Sequence, residues 1–279
     1  MNMKKIMWAA VAAVMAVTMA SCGSAKKVSK QNTFDGVGIV AHRGYWNCEA
    51  GGFARNSVAA LKAAQDAGFW GSEFDVNMTS DEVLLVFHDS SIQGKRIDGN
   101  PYATFRDFRL ENGEPIPTLD AFLTQAEKCK TTKLVFELKK HTTLEQESRA
   151  IELSLQKLKE HGLLSPDRVV FISFSPHACV ELARLCPGFT VQYLDTNLTP
   201  EELNDMGING VDLNEGPYMR DAFWHKQARE RGMSINVWTV NDPSRMKEVV
   251  STGIDLLTTD EPLKARGALG EMDIKEVKN

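Results

Sequence analysis

The sequence predicts an α/β protein, a closed parallel (β/α)8 barrel of the TIM type with a short insertion after the third strand. First, short apolar runs alternate with amphipathic stretches from residue 38 to residue 259, as in repeated strand–helix units. Second, no Gly-x-Gly-x-x-Gly follows the first strand, which disfavours an open dinucleotide-binding sheet. Third, residues suited to chemistry fall at or near the C-terminal ends of predicted strands, the catalytic end of such a barrel: His42, Glu73, Asp75, His88, Glu137, Lys139, Trp238 and Asp260.

Nine short apolar or alternating runs are strand candidates, one more than a barrel of eight requires. One of the nine must therefore lie outside the barrel or not be a strand. The candidates span residues 38–41, 73–78, 83–87, 133–138, 168–174, 190–194, 210–213, 234–240 and 255–259.

The helices are predicted from apolar residues at helical spacing and from residues that cap helix ends. Asn56 or Ser57 can cap the first helix and Gly68 ends it, while Thr118 caps the second. Between residues 90 and 117, glycines and a proline interrupt any long element, so this insertion is expected to form a shallow cap suited to a small, soluble substrate. The predicted helices span residues 56–67, 118–130, 144–161, 177–185, 200–206, 221–231 and 243–251.

Length and composition are those of an ordinary globular protein. The chain has 279 residues, of which 43% are hydrophobic and 25% charged, so one large domain or two small ones are expected. A net charge of -5 and the lack of a basic stripe in the sequence give no reason to expect nucleic-acid binding.

The N-terminus is predicted to direct export and lipid anchoring. Lys4 and Lys5 precede an apolar run from residue 6 to residue 20 that is short for a membrane span, and Ser21-Cys22 follows it. This ending resembles a bacterial lipobox, so residues 1–21 are interpreted as a lipoprotein signal peptide and Cys22 as the lipidated residue. Residues 22–36 would form a flexible tether and residues 37–279 the barrel domain. The expected location is the bacterial cell envelope, with the membrane contacted only through the lipid anchor.

Four more cysteines, Cys48, Cys129, Cys179 and Cys186, would share an oxidising compartment after export. Their spacing fits no metal motif. Disulfide pairing and a role as small buried residues both stay open, because sequence alone does not give connectivity.

Paired carboxylates dominate the predicted catalytic end. Glu73 and Asp75 are two apart on one strand and face the same side, as do Glu137 and Lys139 on another. Carboxylates that converge in this way share a proton or bind a metal ion, and hard oxygen ligands suit one divalent cation, Ca²⁺ or Mg²⁺. His42 precedes and His88 follows the first pair, a set suited to acid–base chemistry.

The order His42-Arg43-Gly44, Glu73-x-Asp75, His88-Asp89 resembles the glycerophosphodiester phosphodiesterase family, here as a bacterial lipoprotein member. Nearly the whole chain after about residue 37 carries the resemblance, which itself implies a TIM barrel. Further matching segments, in family order, are residues 114–119, 136–139, 238–242 and 259–262.

The resemblance implies metal-dependent hydrolysis of small glycerophosphodiesters to glycerol 3-phosphate and an alcohol. Its implied roles are metal ligation by Glu73, Asp75 and Glu137, acid–base catalysis by His42 and His88, phosphate contact by Arg43 and Lys139, and substrate packing by Trp238. Two alternatives stay open. One is phospholipase-D-like or cyclising cleavage on the same fold, and the other is a surface lipoprotein that binds phosphorylated ligands without turnover.

One segment departs from the family pattern. The family usually has Pro-Glu-Asn-Thr where this chain reads Ala54-Arg55-Asn56-Ser57, so a positive residue replaces a glutamate. This substitution leaves the predicted metal ligands and histidines in place. Which alcohol group the protein prefers in its substrate therefore stays open. The other four histidines lie in helical or linking segments and are predicted to be structural: His141, His161, His177 and His225.

Overall fold

The structure is a computed structural model that describes residues 36–279. The predictions for the signal peptide, the tether and Cys22 lie outside the described residues. Within residues 36–279, no helix is long and apolar enough to cross a membrane.

Eight parallel strands form a closed barrel, as predicted. β1, β2 and β6 to β11 stand side by side in that order, and β1 closes the ring by pairing with both β2 and β11. The strands are β1 (Val37–Ala41), β2 (Gly71–Met78), β3 (Leu84–Val86), β4 (Ser91–Ile92), β5 (Lys95–Arg96), β6 (Lys133–Leu138), β7 (Val169–Ser173), β8 (Thr190–Tyr193), β9 (Gly210–Asn214), β10 (Ser234–Trp238), β11 (Leu256–Thr259) and β12 (Glu276–Val277).

The helices lie between the strands along the chain. They are α1 (Val58–Asp66), α2 (Leu119–Ala126), α3 (Leu144–Glu160), α4 (Pro176–Leu185), α5 (Pro200–Asp205), α6 (Glu215–Arg220), α7 (Ala222–Glu230), α8 (Pro243–Ser251) and α9 (Pro262–Glu271). Ser57 caps α1 by accepting a hydrogen bond from the backbone N–H of Ala60, and Thr118 caps α2 in the same way. Both caps follow the sequence prediction.

The extra strand candidate is β3, which pairs antiparallel with β2 outside the barrel. The insertion follows this third strand along the chain and therefore lies between the second and third strands of the barrel itself. It has a small apolar core of its own, to which β3 contributes Leu85 and the insertion contributes Ile97, Phe105 and Leu110. The insertion is thus a packed cap beside the barrel.

The two faces of each strand have different partners. Phe74 packs on Phe122 of α2 and on Phe136 of β6, with ring centroids 4.5 and 5.1 Å apart, so this face of β2 lies against the helices. Side chains alternate along a strand, and Glu73 and Asp75 therefore point into the barrel. This alternation places charged groups in the barrel mouth while the helix-facing core stays apolar.

Helices α6 and α9 were not predicted from the sequence. The first turn of α6 contains Gly216 and Pro217, which disfavour a helix in its interior, yet proline is tolerated where a backbone N–H has no helical partner. In α9, Gly267 and Gly270 interrupt the apolar spacing. The four cysteines of the described region are all free, and Cys179 and Cys186 are buried as small core residues.

Candidate active site

Three carboxylates converge at the C-terminal end of the barrel. Asp75 and Glu137 are register partners on the neighbouring strands β2 and β6, and Glu73 shares their face. One carboxylate oxygen of each lies within 4.8 Å of the others, and all three side chains are buried. The predicted cluster is therefore present, and it could hold a metal ion.

The electrostatics of this cluster reflect crowding of negative charge. Burial, followed by the charges of Asp75 and Glu137, raises the pKa of Glu73 well above its usual range. Burial and then Asp75 raise the pKa of Glu137 to about 8. Burial would also raise the pKa of Asp75, but Lys139, His88 and other donors outweigh it and lower that pKa to about 2. Such a site favours a cation, which would stabilise all three carboxylates in their ionised form.

Two basic side chains border the carboxylates. The Nζ atom of Lys139 lies 2.7 Å from Oε1 of Glu137 and 3.1 Å from Oδ1 of Asp75, and these charges raise the pKa of Lys139 against the effect of burial. The Nε atom of Arg43 lies 3.8 Å from Oδ2 of Asp75. That Nε is buried and donates no hydrogen bond within the described region, so it remains available to an anion.

A tight turn after β1 places Arg43 beside the cluster. Arg43 adopts a left-handed backbone conformation with φ 55°, and its backbone N–H donates to Oε2 of Glu73 at 2.6 Å. Gly44 follows with φ 80°, and a Cβ at that position would lie 2.7 Å from the Cβ of Ala60 on α1. Only glycine allows both this φ and this approach to the helix, which explains the glycine after His-Arg.

His42 is held by Asp260, although 218 positions separate them in the sequence. Ala41 and Thr259 are register partners on β1 and β11, so the residues that follow them meet at the barrel end. The ring Nδ1 lies 2.9 Å from Oδ1 of Asp260. Burial would raise the pKa of Asp260, but the bond from His42 and those from other donors lower it to about 2. Asp260 is therefore an acceptor and the Nδ1–H of His42 donates, which leaves Nε2 for other partners.

His88 stands on the other side of the cluster. Its Nδ1 lies 2.7 Å from Oδ1 of the neighbouring Asp89. Burial lowers the pKa of His88, and the nearby charge of Asp75 opposes that change. His88 thus resembles His42 in having one ring nitrogen bound to a carboxylate.

A cavity of about 120 Å³ in the barrel mouth brings the predicted residues together. Its wall includes His42, His88, Arg43, Glu73 and Glu137. Trp238 closes the apolar side, where its ring meets Phe174 edge-on with centroids 5.9 Å apart, and Ile172 and Leu194 complete that side. Asp75 and Lys139 adjoin this cavity through their contacts with Glu137 and Arg43.

Sequence reasoning missed three residues at this site. Asn56 donates to Oδ2 of Asp75 at 2.8 Å and accepts from the backbone N–H of Asp75, so it orients that carboxylate. Trp46 donates its indole N–H to Oδ1 of Asp260 at 3.0 Å. Asp212 lines the cavity, and burial followed by the charge of Glu137 raises its pKa well above the usual range. Two of them had a sequence signal: Asn56 lies in the segment that corresponds to the family's Pro-Glu-Asn-Thr, and Asp212 is an acidic residue inside an apolar strand.

The four remaining histidines do not join this cavity, but His141 lies near it. Its Nε2 accepts a hydrogen bond from the backbone N–H of Met78 at 3.0 Å, at the end of β2. His177 instead contacts the Ser148 hydroxyl group at 2.9 Å on the helical side. These contacts agree with the structural roles predicted for both.

Comparison with known proteins identifies the family. The sequence matches the family described as the glycerophosphoryl diester phosphodiesterase family over residues 42–264. A glycerophosphodiester phosphodiesterase from Parabacteroides distasonis ATCC 8503 has a similar crystal structure, with 42% identity and a TM-score of 0.81 over 86% of this chain and 99% of that one.

More distantly similar proteins include one solved structure and one sequence relative. A phosphodiesterase from Oleispira antarctica, solved in complex with the product sn-glycerol-3-phosphate, has 23% identity and a TM-score of 0.72 over 86% of this chain and 100% of that one. A glycerophosphodiester phosphodiesterase from Caldanaerobacter subterraneus subsp. tengcongensis is 24% identical over 80% of this chain and 94% of its own. The chain belongs to the glycerophosphoryl diester phosphodiesterase family, whose members are phosphoric diester hydrolases.

Proposed function

We propose that this protein hydrolyses small glycerophosphodiesters to glycerol 3-phosphate and an alcohol, with one divalent cation, Ca²⁺ or Mg²⁺, and two catalytic histidines. One observation carries the proposal: three buried carboxylates, within 4.8 Å of one another, share a barrel mouth with two carboxylate-bound histidines. A protein that only bound phosphorylated ligands would need neither histidine in this arrangement.

Glu73, Asp75 and Glu137 are the proposed metal ligands. Their oxygens suit Ca²⁺ or Mg²⁺, and burial together with the neighbouring carboxylates raises the pKa of Glu73 and of Glu137, an effect that a bound cation would oppose. When bound, the cation would supply the charge that stabilises negative phosphate oxygens as the diester is attacked. Asn56 fixes the orientation of Asp75 in this cluster.

Arg43 and Lys139 are the proposed phosphate contacts. The Nε of Arg43 is buried without a hydrogen-bond acceptor, and a phosphate oxygen would satisfy it. Lys139 already lies against two carboxylates, so its charge is held at the same place. Both residues offset the negative charge that would otherwise repel an anionic substrate.

His42 and His88 are the proposed acid and base. In each ring Nδ1 lies against a carboxylate, which holds the imidazole in place and leaves Nε2 to take or give a proton. Hydrolysis of a diester requires both transfers, one from the attacking water and one to the leaving alcohol oxygen. Two histidines that border one cavity can perform them.

The barrel-mouth cavity is the proposed site for the glycerol moiety. Its volume of about 120 Å³ fits a small polyol, and Trp238 with Phe174 gives that polyol an apolar wall. The Oleispira antarctica phosphodiesterase of this fold was solved with sn-glycerol-3-phosphate, which supports glycerol phosphate as a product here.

The test is a product analysis by phosphorus NMR with purified protein and, in separate assays, glycerophosphoglycerol and a lysophospholipid. Glycerol 3-phosphate as the phosphorus product supports the proposal. A cyclic phosphate would favour the cyclising alternative, and cleavage of lysophospholipids alone would favour the phospholipase-D-like one. Tight binding without turnover, in protein supplied with Ca²⁺ or Mg²⁺, would favour a non-catalytic ligand-binding protein. Glu73→Gln is the matched inactive control.

We also propose that the mature protein is anchored in the bacterial cell envelope through lipidated Cys22. The support is the apolar run that ends in Ser21-Cys22, followed by a polar segment of tether length. Cys22→Ser should release the protein from membranes or block signal processing. If this variant is processed and partitions into membranes as the unsubstituted protein does, the anchor is elsewhere.

A further inference from the structure

A second, larger groove adjoins the candidate active site on the side of the insertion. Its volume is about 400 Å³, and His88 lines both this groove and the barrel-mouth cavity. Three arginines line it, Arg43, Arg55 and Arg109. We call it the arginine groove.

Arg55 stacks on Trp46, which shares an acceptor oxygen of Asp260 with His42. Its guanidinium lies over the ring of Trp46, 3.8 Å from the centroid, and the indole N–H of Trp46 donates to the Asp260 oxygen that His42 also contacts. The next residue, Asn56, is hydrogen-bonded to Asp75. The guanidinium of Arg55 is thus stacked and oriented at the rim of the site, yet it donates no hydrogen bond to any described residue.

Arg109 comes from the insertion and faces the same groove. Its Nη1 donates to the carbonyl oxygens of Arg106 and Phe108, at 3.0 and 2.9 Å, which fixes the side chain and leaves its other N–H groups free. Within residues 36–279, neither Arg55 nor Arg109 has a carboxylate oxygen within 4.0 Å of its guanidinium nitrogens. Both are therefore oriented cations without a counter-ion in the part of the chain that the structure describes.

We propose that the arginine groove binds the alcohol side of the substrate and selects alcohols that carry a second phosphate group. This inference rests on the proposed hydrolysis of glycerophosphodiesters. The cavity of about 120 Å³ fits the glycerol moiety, and two grooves that His88 also lines could take the alcohol. The proposal places the alcohol in the arginine groove because two unpaired arginines line it. Guanidinium groups match phosphate oxygens in geometry and charge, and Arg55 with Arg109 can bind a second phosphate while Arg43 and Lys139 contact the one being cleaved.

The groove also holds features that would suit another alcohol. Glu111 lines it with its carboxylate unpaired within the described region, Asp89 is bound to His88, and the rings of Phe87 and Phe108 meet edge-on. Aromatic rings beside carboxylates can bind a quaternary ammonium group. Two unpaired guanidiniums against one unpaired carboxylate favour the anion, and glycerophosphocholine serves as the competing substrate.

A neighbouring groove on the other side of His88 supplies a control. It has a volume of about 740 Å³ and is lined by Arg96 and Lys140, and also by Glu137 and Lys139 of the candidate active site. Arg96 donates two hydrogen bonds to the carboxylate of Asp98, with nitrogen–oxygen distances of 2.9 and 2.6 Å. Lys140, by contrast, has no carboxylate partner in the described region. Lys140→Gln therefore removes an equally free cation from the groove in which the proposal does not place the alcohol.

The experiment compares kcat/KM for bis(glycerophospho)glycerol, which carries a second phosphate, with that for glycerophosphoglycerol, which does not. The first substrate has two equivalent bonds, so its kcat/KM is halved before the ratio is taken. The ratio should exceed one at low salt and fall at high salt. Arg55→Gln and Arg109→Gln should each lower the ratio about three- to fivefold, since an exposed charge pair contributes little more. Arg106→Gln, on the insertion but outside the groove, and Lys140→Gln should leave it unchanged.

Several outcomes would overturn the inference. They are a ratio of one or less, a ratio that neither arginine variant changes, a ratio that depends on Lys140 instead, or faster hydrolysis of glycerophosphocholine than of either substrate. Failure to hydrolyse any substrate, by protein supplied with Ca²⁺ or Mg²⁺, would instead refute the proposed function and the inference with it. Because the four substituted side chains are exposed, circular dichroism should show each variant folded.

Discussion

Asp260→Asn should lower kcat with little change in KM, because Asp260 holds His42 and is not among the proposed substrate contacts. The carboxylate accepts three hydrogen bonds within the described region: Oδ1 accepts from His42 at 2.9 Å and from the Trp46 indole N–H at 3.0 Å, and Oδ2 accepts from Nδ2 of Asn241 at 2.8 Å. An amide has only one acceptor oxygen, so at least one of these donors would face an N–H group.

The magnitude follows from the strength of the bond to His42. A hydrogen bond to a charged group contributes about 1.5–3 kcal/mol, and its loss lets the imidazole leave the position in which Nε2 is available. If all of this free energy is lost from the stabilisation of the transition state, kcat falls about 10- to 150-fold. His42 and Asp260 side chains are only 16% and 18% exposed, so solvent screening removes a small part of this effect.

A second substitution should restore the hydrogen bonds. In Asp260→Asn/Asn241→Asp, the new amide can donate to the new carboxylate while its oxygen accepts from His42 and Trp46. Stopped or steady-state assays with glycerophosphoglycerol should show the double variant faster than Asp260→Asn alone. Asp242→Asn, at an exposed helix cap on the same barrel end, is the charge control and should resemble the unsubstituted protein. An unchanged kcat in Asp260→Asn, or a double variant as slow as the single one, would refute the positioning role.

Two further predictions concern the histidines and the turn after β1. His42→Ala and His88→Ala should each lower kcat by about 10²–10⁴-fold in the same assay, whereas His177→Ala should not, and equal effects of all three would misplace the site. Gly44→Ala should lower the free energy of unfolding by about 2 kcal/mol or more in urea titrations, since it adds a 2.7 Å contact with α1 to an unfavourable φ. Gly68→Ala, with φ 64° and no atom within 4 Å, should cost only the conformational part, about 1 kcal/mol, and an equal loss for both would argue against the contact.

The sequence was sufficient for the barrel and for the pairing of Glu73 with Asp75 because the repeated strand–helix pattern and the strand repeat are local, whereas Glu137 was added to the cluster by the family resemblance and meets it through the register of β2 with β6. Glu73 and Asp75 share a face through the two-residue repeat of a strand, and the strand itself is visible as an apolar run. The place of β3 outside the barrel was not predictable in this way. Its residues form a short apolar run like that of a barrel strand, and only the antiparallel pairing with β2 distinguishes it.

The contacts that orient the site depend on register between distant strands. His42 and Asp260 were both placed at strand ends, but their contact follows from the pairing of Ala41 with Thr259, which no local pattern encodes. The same holds for Trp46, whose bond to Asp260 crosses 214 positions. Arg55 was singled out by its departure from the family motif, and its stacking on Trp46 required the folded loop.

Hydrolysis in the barrel mouth should depend on a bound metal ion, and one add-back titration tests this dependence directly. Protein stripped with chelator, and verified as metal-free by elemental analysis, is assayed on glycerophosphoglycerol while Ca²⁺ or Mg²⁺ is returned. We expect activity to be lost on stripping and regained at about one equivalent of cation in tight-binding conditions, and Glu137→Gln to need far more cation. Full activity of the metal-free protein would contradict the assignment of Glu73, Asp75 and Glu137 as ligands of a catalytic cation.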